Sequence, residues 1–141
     1  PNLEHAARSL GKNRASILDG TPISLPSIIK SQRLQEKASS VGFDWDNIND
    51  VWAKLYEEID ELKIACEKGQ LKSIEEEIGD CFFSLVNLAR HLNISAENSV
   101  RKTNNKFSKR FKEVEHKVSK MSKKINEMSN EEISKLWESV K

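Results

Sequence analysis

Apolar positions along this chain recur every three or four residues, in stretches separated by glycine, proline and short polar runs. Between 48 and 67 they are Val51, Leu55, Ile59, Leu62 and Cys66, and Gly69 follows as the stop. That repeat puts one side chain per turn on a single helical face. A second stretch, 72–92, repeats it through Ile74, Ile78, Cys81, Leu85, Leu88 and Leu92. Ahead of both, Leu25-Pro26-Ser27 reads as a helix start, where the missing proline N–H costs little, and that helix runs to about Val41 before Gly42. Ser95 reads as the N-cap of a fourth helix, 96–122, with the stripe Val100, Asn104, Phe107, Phe111, Val114 and Val118. Ser129-Asn130-Glu131-Glu132 has the form of a capping box, opening a short helix with Ile133, Leu136, Trp137 and Val140. Strand-like alternation and internal repeats are absent, so the expected fold is an all-α helical bundle with short loops. Residues 1–20 hold no sustained period and read as a lead-in or linker, which leaves 21–141 as the helical domain.

Composition agrees with that picture. A chain of 141 residues has the length of one domain with a sizeable core, and 32% charged against 6% aromatic residues suits helices better than sheet. Cys66 and Cys81 both fall in the apolar stripes. Their spacing fits neither a metal knuckle nor a redox pair, so they are expected to be reduced core residues of a cytoplasmic protein. No run of about eighteen apolar residues and no charged-then-apolar leader occurs, so neither a membrane span nor processing is expected. The start at Pro1 without Met suggests a trimmed chain.

Net charge is only +1, yet its distribution is lopsided: Asp44–Asp80 carries twelve acidic and four basic residues, and Arg101–Lys124 carries ten basic and two acidic. Opposite blocks of this size suit a ligand needing both signs, such as a metal-bound polyphosphate, or else they neutralise one another across a bundle.

Within the acidic block, Glu58/Glu61 and Glu77/Asp80 are each spaced i,i+3, which puts both carboxylates of a pair on one helix face. At about 100° per residue, Lys54, Glu58, Glu61 and Ala65 form a strip along one edge of the apolar stripe. Ser73, Glu77, Asp80 and Ser84 form the equivalent strip on the next helix, while Glu57, Asp60, Glu75 and Glu76 point farther out. Four oxygen ligands at the core margin suit Mg²⁺; an isolated pair of this spacing is usually a solvated face. Gly79, costing about 1 kcal/mol in mid-helix, is expected to permit close approach of backbone or ligand. On the fourth helix Lys106 and Arg110 flank the stripe together, placed to take up phosphate charge. By pattern alone Trp137 reads as a core plug, and His91 as a cap or surface residue. No Ser/His/Asp or Cys/His arrangement and no glycine-rich phosphate loop is present.

The form Glu57-Glu58-Ile59-Asp60-Glu61 followed by Glu77-Ile78-Gly79-Asp80 resembles the EExxE…ExxD motif of the MazG-type nucleoside triphosphate pyrophosphohydrolases, an all-α group related to dimeric dUTPases. Leu18-Asp19-Gly20-Thr21-Pro22, Gln35 through Trp45, Val86 through Leu92, and Asn104 through Phe111 are similar to that family too, so the resemblance spans most of residues 18–140. It implies Mg²⁺-dependent hydrolysis of nucleoside triphosphates to monophosphate and pyrophosphate. Glu58, Glu61, Glu77 and Asp80 would be the catalytic metal ligands; Lys54, Lys106 and Arg110 would contact phosphates and Trp137 the nucleoside. Lys106 and Arg110 would steady the departing pyrophosphate. Glu57 or a metal-edge carboxylate are the candidates for general base. The long members carry two such domains in tandem, and this chain resembles the second, active one. A homodimer completing the bundle is implied as well.

The first rival reading is a non-catalytic helical dimerisation or regulatory module that keeps the scaffold, and it predicts no pyrophosphate release. A nucleic-acid partner is not expected, because Phe107 and Phe111 belong to the core stripe and are not free to stack bases. A ferritin-type di-metal bundle would need Glu-x-x-His pairs, and none occurs. Base preference turns on pocket shape around Trp137, Arg33 and Trp45, which periodicity does not reach.

Overall fold

The computed structural model describes residues 15–141. Its elements are α1 (Ser27–Ser40), α2 (Ile48–Lys68), α3 (Leu71–His91), α4 (Ala96–Lys120), a 3₁₀ turn at Ile125–Glu127, and α5 (Asn130–Ser139). The described residues contain no strand, so the all-α expectation holds. Most of the predicted lead-in lies outside the described residues; in its last part, Asp19 Oδ2 accepts the N–H groups of Ala15 and Ser16 at 3.0 and 3.1 Å.

Helix ends follow local chemistry. Asn47 is extended and its Oδ1 accepts the Asn49 N–H at 2.8 Å, which satisfies one of the donors left over at the start of α2. At the other end Gly69 takes φ +67°, and its N–H donates to the Ala65 and Cys66 carbonyls. That left-handed cap suits glycine and lets α3 begin after a link of two residues, making an antiparallel hairpin. The expected capping box opens α5: the Glu132 N–H donates to Ser129 Oγ at 3.1 Å, and the Ser129 N–H donates to Glu132 Oε1 at 3.2 Å. These bonds hold the Glu132 carboxyl below its ordinary value.

The chain packs as two compact units, one ending at Glu97 and one running from Asn98 to Lys141. In the first, α3 packs against α2 and, less extensively, α1. Val51, Leu55 and Leu88 form the buried core there, with Ile59 against them. Two polar ties hold α1: Gln35 Nε2 donates to the Phe83 carbonyl at 3.0 Å, and Gln32 Oε1 accepts the Ala96 N–H at 3.0 Å. In the second unit Val114, Val118 and Met128 form the core, with Ile133, Leu136 and Trp137 packed on it. Phe107 lies 5.9 Å from Phe111 and 5.5 Å from Trp137, centroid to centroid. Trp137 is therefore a half-buried plug, in keeping with its helical pattern.

Several stripe positions differ from the pattern. Cys66 is exposed and Cys81 half-buried, both as free thiols, so only Cys81 approaches the core role expected of both. Ile78 and Leu85 on α3, Leu92 just after it, and Val100, Phe107 and Phe111 on α4 are also exposed. The reason in the first unit is one of coverage. Phe82, Phe83 and Leu85 widen the apolar surface of α3 beyond the strip that α1 and α2 face. Gly79 likewise meets nothing within 4 Å of where a Cβ would stand, so the close backbone approach expected there does not occur among the described residues. No helix of the described residues is long and apolar enough to cross a membrane.

Candidate metal centre

The hairpin of α2 and α3 turns the two acidic strips toward each other. Oxygens of Glu58, Glu77 and Asp80 all lie within 4.8 Å of one another. Depth grades across the three: Glu58 is 5% exposed, Glu77 is half-buried and Asp80 is open. Glu61, the fourth expected ligand, falls outside that triplet. It lines a cleft of about 220 Å³ with Glu77, Lys68, Gln70 and Ser73, between the end of α2 and the start of α3. Glu61 and Glu77 are thus neighbours, and Glu77 is the one carboxylate shared by the triplet and the cleft.

The electrostatics are those of a site short of positive charge. Burial pushes the Glu77 carboxyl above its ordinary value, and the charges of Glu61, Asp80 and Glu58 add to the shift. Oε2 of Glu58 and Oε2 of Glu77 are both buried without a hydrogen-bond partner. An orphaned carboxylate oxygen is costly in a folded chain unless something positive meets it. Lys54 meets only the other oxygen, with Nζ 3.0 Å from Glu58 Oε1 and 3.4 Å from Glu57 Oε2. Its hydrogen bond to Glu58 raises the lysine above its ordinary value and keeps it charged. Burial, followed by the same carboxylates, raises the Cys81 thiol, so it is a poor nucleophile at neutral pH. Three convergent hard oxygens, two of them on residues with an orphaned atom, fit a small divalent cation. Glu57 pairs with Lys54 and is exposed, as projection suggested.

Lys106, Arg110 and Trp137 belong to the second unit. Lys106 is exposed, Arg110 is half-exposed, and both lie on α4. A polar hub escaped the sequence reading. Asp44, in the α1–α2 loop, pairs in bidentate fashion with Arg90 (Nη1 to Oδ2 2.9 Å, Nη2 to Oδ1 2.6 Å), and its Oδ1 lies 2.9 Å from His91 Nε2. Ser39 Oγ donates to Asp44 Oδ2 at 2.8 Å, and Arg90 Nη2 reaches Asn87 Oδ1 at 2.7 Å. The Arg90 guanidinium holds the Asp44 carboxyl well below the usual carboxylate range. Asn87 lies on the α3 strip of Glu77, Asp80 and Ser84, so the hub fixes the end of the helix that carries two of the carboxylates. Nothing in the local sequence signals it, because the partners are 46 residues apart. Lys68 was missed too, although it continues the strip of Lys54, Glu58, Glu61 and Ala65 by one turn.

Comparison with known proteins agrees with this geometry. Residues 47–115, which contain both acidic strips, match the family model of the MazG nucleotide pyrophosphohydrolase domain. The chain is 39% identical over 132 residues to the nucleoside triphosphate pyrophosphohydrolase of Escherichia coli (strain K12), an alignment covering 92% of this chain and 50% of that protein. It is 38% identical over 135 residues to the nucleoside triphosphate pyrophosphohydrolase/pyrophosphatase MazG of Thermotoga maritima, covering 96% of this chain and 52% of that one. The uncharacterized protein YabN of Bacillus subtilis is 37% identical over 130 residues, 27% of its own length. The chain spans about half the length of the first two of these relatives. The acidic hairpin thus lies inside the segment that matches the MazG nucleotide pyrophosphohydrolase domain, and inside the stretch shared with both pyrophosphohydrolases.

Proposed function

We propose that this chain hydrolyses nucleoside triphosphates to nucleoside monophosphate and pyrophosphate, with Mg²⁺ held by Glu58, Glu61, Glu77 and Asp80. The observation that carries the reading is the convergence of Glu58, Glu77 and Asp80 within 4.8 Å around buried, unpartnered carboxylate oxygens. When bound, Mg²⁺ supplies positive charge that neutralises phosphate oxygens and polarises the phosphorus under attack. The chain's own groups do the rest. The three convergent carboxylates hold the cation, and Glu61, lining the cleft beside Glu77, completes the set from its rim. Lys54 balances Glu58 and is placed to exchange that carboxylate for a phosphate oxygen. Water adds to the α-phosphorus, the bond to the bridging oxygen breaks, and pyrophosphate leaves. For Lys106 and Arg110 the proposed role is to take up charge on that leaving group, and for Trp137 to contact the nucleoside.

Two further parts of the reading concern setting. The proposed assembly is a homodimer in which a second copy covers exposed apolar side chains of α3 such as Ile78 and Leu85. The proposed compartment is the cytoplasm, where nucleoside triphosphates are used and free thiols such as Cys66 and Cys81 stay reduced.

The test is a pyrophosphate-release screen over a panel of nucleoside triphosphates, with and without Mg²⁺. Release is expected only with the metal. Glu61→Gln and Asp80→Asn are each expected to abolish it while far-UV circular dichroism stays helical. Near-wild-type turnover in either variant would sink the metal assignment, and a flat profile across the panel would favour a non-catalytic scaffold.

A further inference from the structure

The outer face of α4 carries a mainly basic array, interrupted by Glu113, that the hydrolytic site does not use. At about 100° per residue, Lys102, Lys109, Lys112, His116 and Lys120 fall within about 60° of one direction. All five are exposed, and Lys109, Lys112, His116 and Lys120 line one shallow, open basin with Glu113 and Lys117. No carboxylate among the described residues pairs with Lys102, Lys109, Lys112 or Lys120. The opposite side of the same helix is apolar, with Val114 and Val118 buried in the second unit's core. Like charges at i,i+3 and i,i+4 repel along a helix. Between Arg101 and Lys124 only Glu113 and Glu115 relieve them.

The form of the array narrows its ligand. All its side chains stand on one helix, so no walls enclose a small molecule as a pocket does. Its length does fit a polymer: Lys102 to Lys120 spans about 27 Å of helix axis. The ridge carries no large apolar side chain to enter a bilayer and no Phe, Tyr or Trp to stack on a base. What remains is contact with a row of phosphates, with no reading of sequence. We propose that this face of α4 docks the phosphate backbone of duplex nucleic acid. The expectation drawn from Phe107 and Phe111 concerned base stacking; contact through phosphates does not need it.

The test uses the full chain and a labelled 20-base-pair DNA duplex, followed by fluorescence anisotropy without Mg²⁺. If four lysines each neutralise one phosphate, affinity falls about 150-fold between 50 and 200 mM NaCl, a log–log slope of about −3.6. The variant Lys109→Glu/Lys112→Glu/Lys120→Glu, confined to exposed positions, is expected to lose binding at 50 mM NaCl while keeping its helicity and pyrophosphate release. Lys63→Glu/Lys72→Glu, on the other unit, is expected to bind as wild type. Scrambling the duplex sequence is expected to change nothing. Absence of binding at 50 mM NaCl, affinity indifferent to salt, or wild-type binding by the triple variant would each overturn the proposal. So would equal competition by a polyglutamate peptide of matched charge, which would assign the ridge to an acidic protein surface.

Discussion

Glu77 is where the fold and the proposed chemistry pull in opposite directions. Its folded-state carboxyl sits above the ordinary glutamate value because of burial and the neighbouring charges of Glu61, Asp80 and Glu58. A raised acid favours the folded state while protonated, and that contribution is lost as pH climbs through the shifted value. At neutral pH without metal the charged Glu77 therefore destabilises the chain. Glu77→Gln keeps the shape and removes the charge, so metal-free melts at pH 7.5 are expected to rise by a few degrees. The gain should fade toward pH 4, and the wild-type rise in melting temperature on adding Mg²⁺ should vanish. A lower metal-free melting temperature for Glu77→Gln at neutral pH would contradict this account. Asp44 has the opposite sign. Its lowered carboxyl stabilises the fold above the unfolded value and loses that contribution as pH falls through the folded one. Asp44→Asn is expected to cost about 1–3 kcal/mol in urea unfolding at pH 7, a gap that closes in strong acid; an equal cost at all pH values would argue against the ion pair. The two residues also mark what a sequence displays. That Glu58, Glu77 and Asp80 converge was legible because their spacing is local and the helix period converts it into a face, whereas the same reasoning did not place Glu61 outside the triplet. The tie from Asp44 to Arg90 and His91, and that from Gln35 to the Phe83 carbonyl, join distant positions and leave no periodic trace.

Two glycines show how much an element depends on backbone geometry. Gly69 ends α2 at φ +67°, in the left-handed region where a Cβ crowds the following carbonyl. Gly79 sits in mid-helix on α3, where a Cβ would meet no atom of another element within 4 Å among the described residues. Gly69→Ala is accordingly expected to destabilise the chain by about 1 kcal/mol or more, and Gly79→Ala to stabilise it by about 0.5–1 kcal/mol. Equilibrium urea unfolding of the pair measures both, and a matching sign for the two changes would refute the distinction. Sequence anticipated the stop at Gly69, since glycine after a periodic run marks a C-cap. At Gly79 it allowed close approach of backbone or of ligand, and among the described residues no atom of another element comes within 4 Å of the Cβ position, which leaves the ligand alternative. If Gly79→Ala gains stability yet loses pyrophosphate release, the open space beside Asp80 belongs to the nucleotide. Helix boundaries elsewhere followed their caps: Asn47 for α2, and Ser129 with Glu132 for α5.

At the scale of the molecule, the apolar pattern of α3 asks for more cover than the first unit supplies. Ile78, Phe82 and Leu85 are spaced as neighbours on one helix face, and all three are exposed, at 41%, 57% and 51%. Helix periodicity located this stripe correctly but could not say which part of it the chain itself would bury. That depends on how many helices reach α3, and among the described residues α2 and, less extensively, α1 pack on it. Monomeric proteins seldom leave contiguous apolar faces of this kind open, and a stable dimer buries about 800 Å² per partner. A second copy supplies the same chemistry in the opposite sense, so a two-fold pairing would bring apolar side chains against one another without new residues. Sedimentation equilibrium at tens of micromolar is therefore expected to return twice the chain mass. Leu85→Asp buries an unpaired charge in that contact and is expected to return the single mass with helicity retained, since Leu85 lies outside the Val51, Leu55 and Leu88 core. A wild-type chain that stays monomeric at that concentration, or a Leu85→Asp chain that stays dimeric, would move the partner surface away from α3. Lysine ridge variants on α4 should leave this mass unchanged, which keeps the two surfaces experimentally separate.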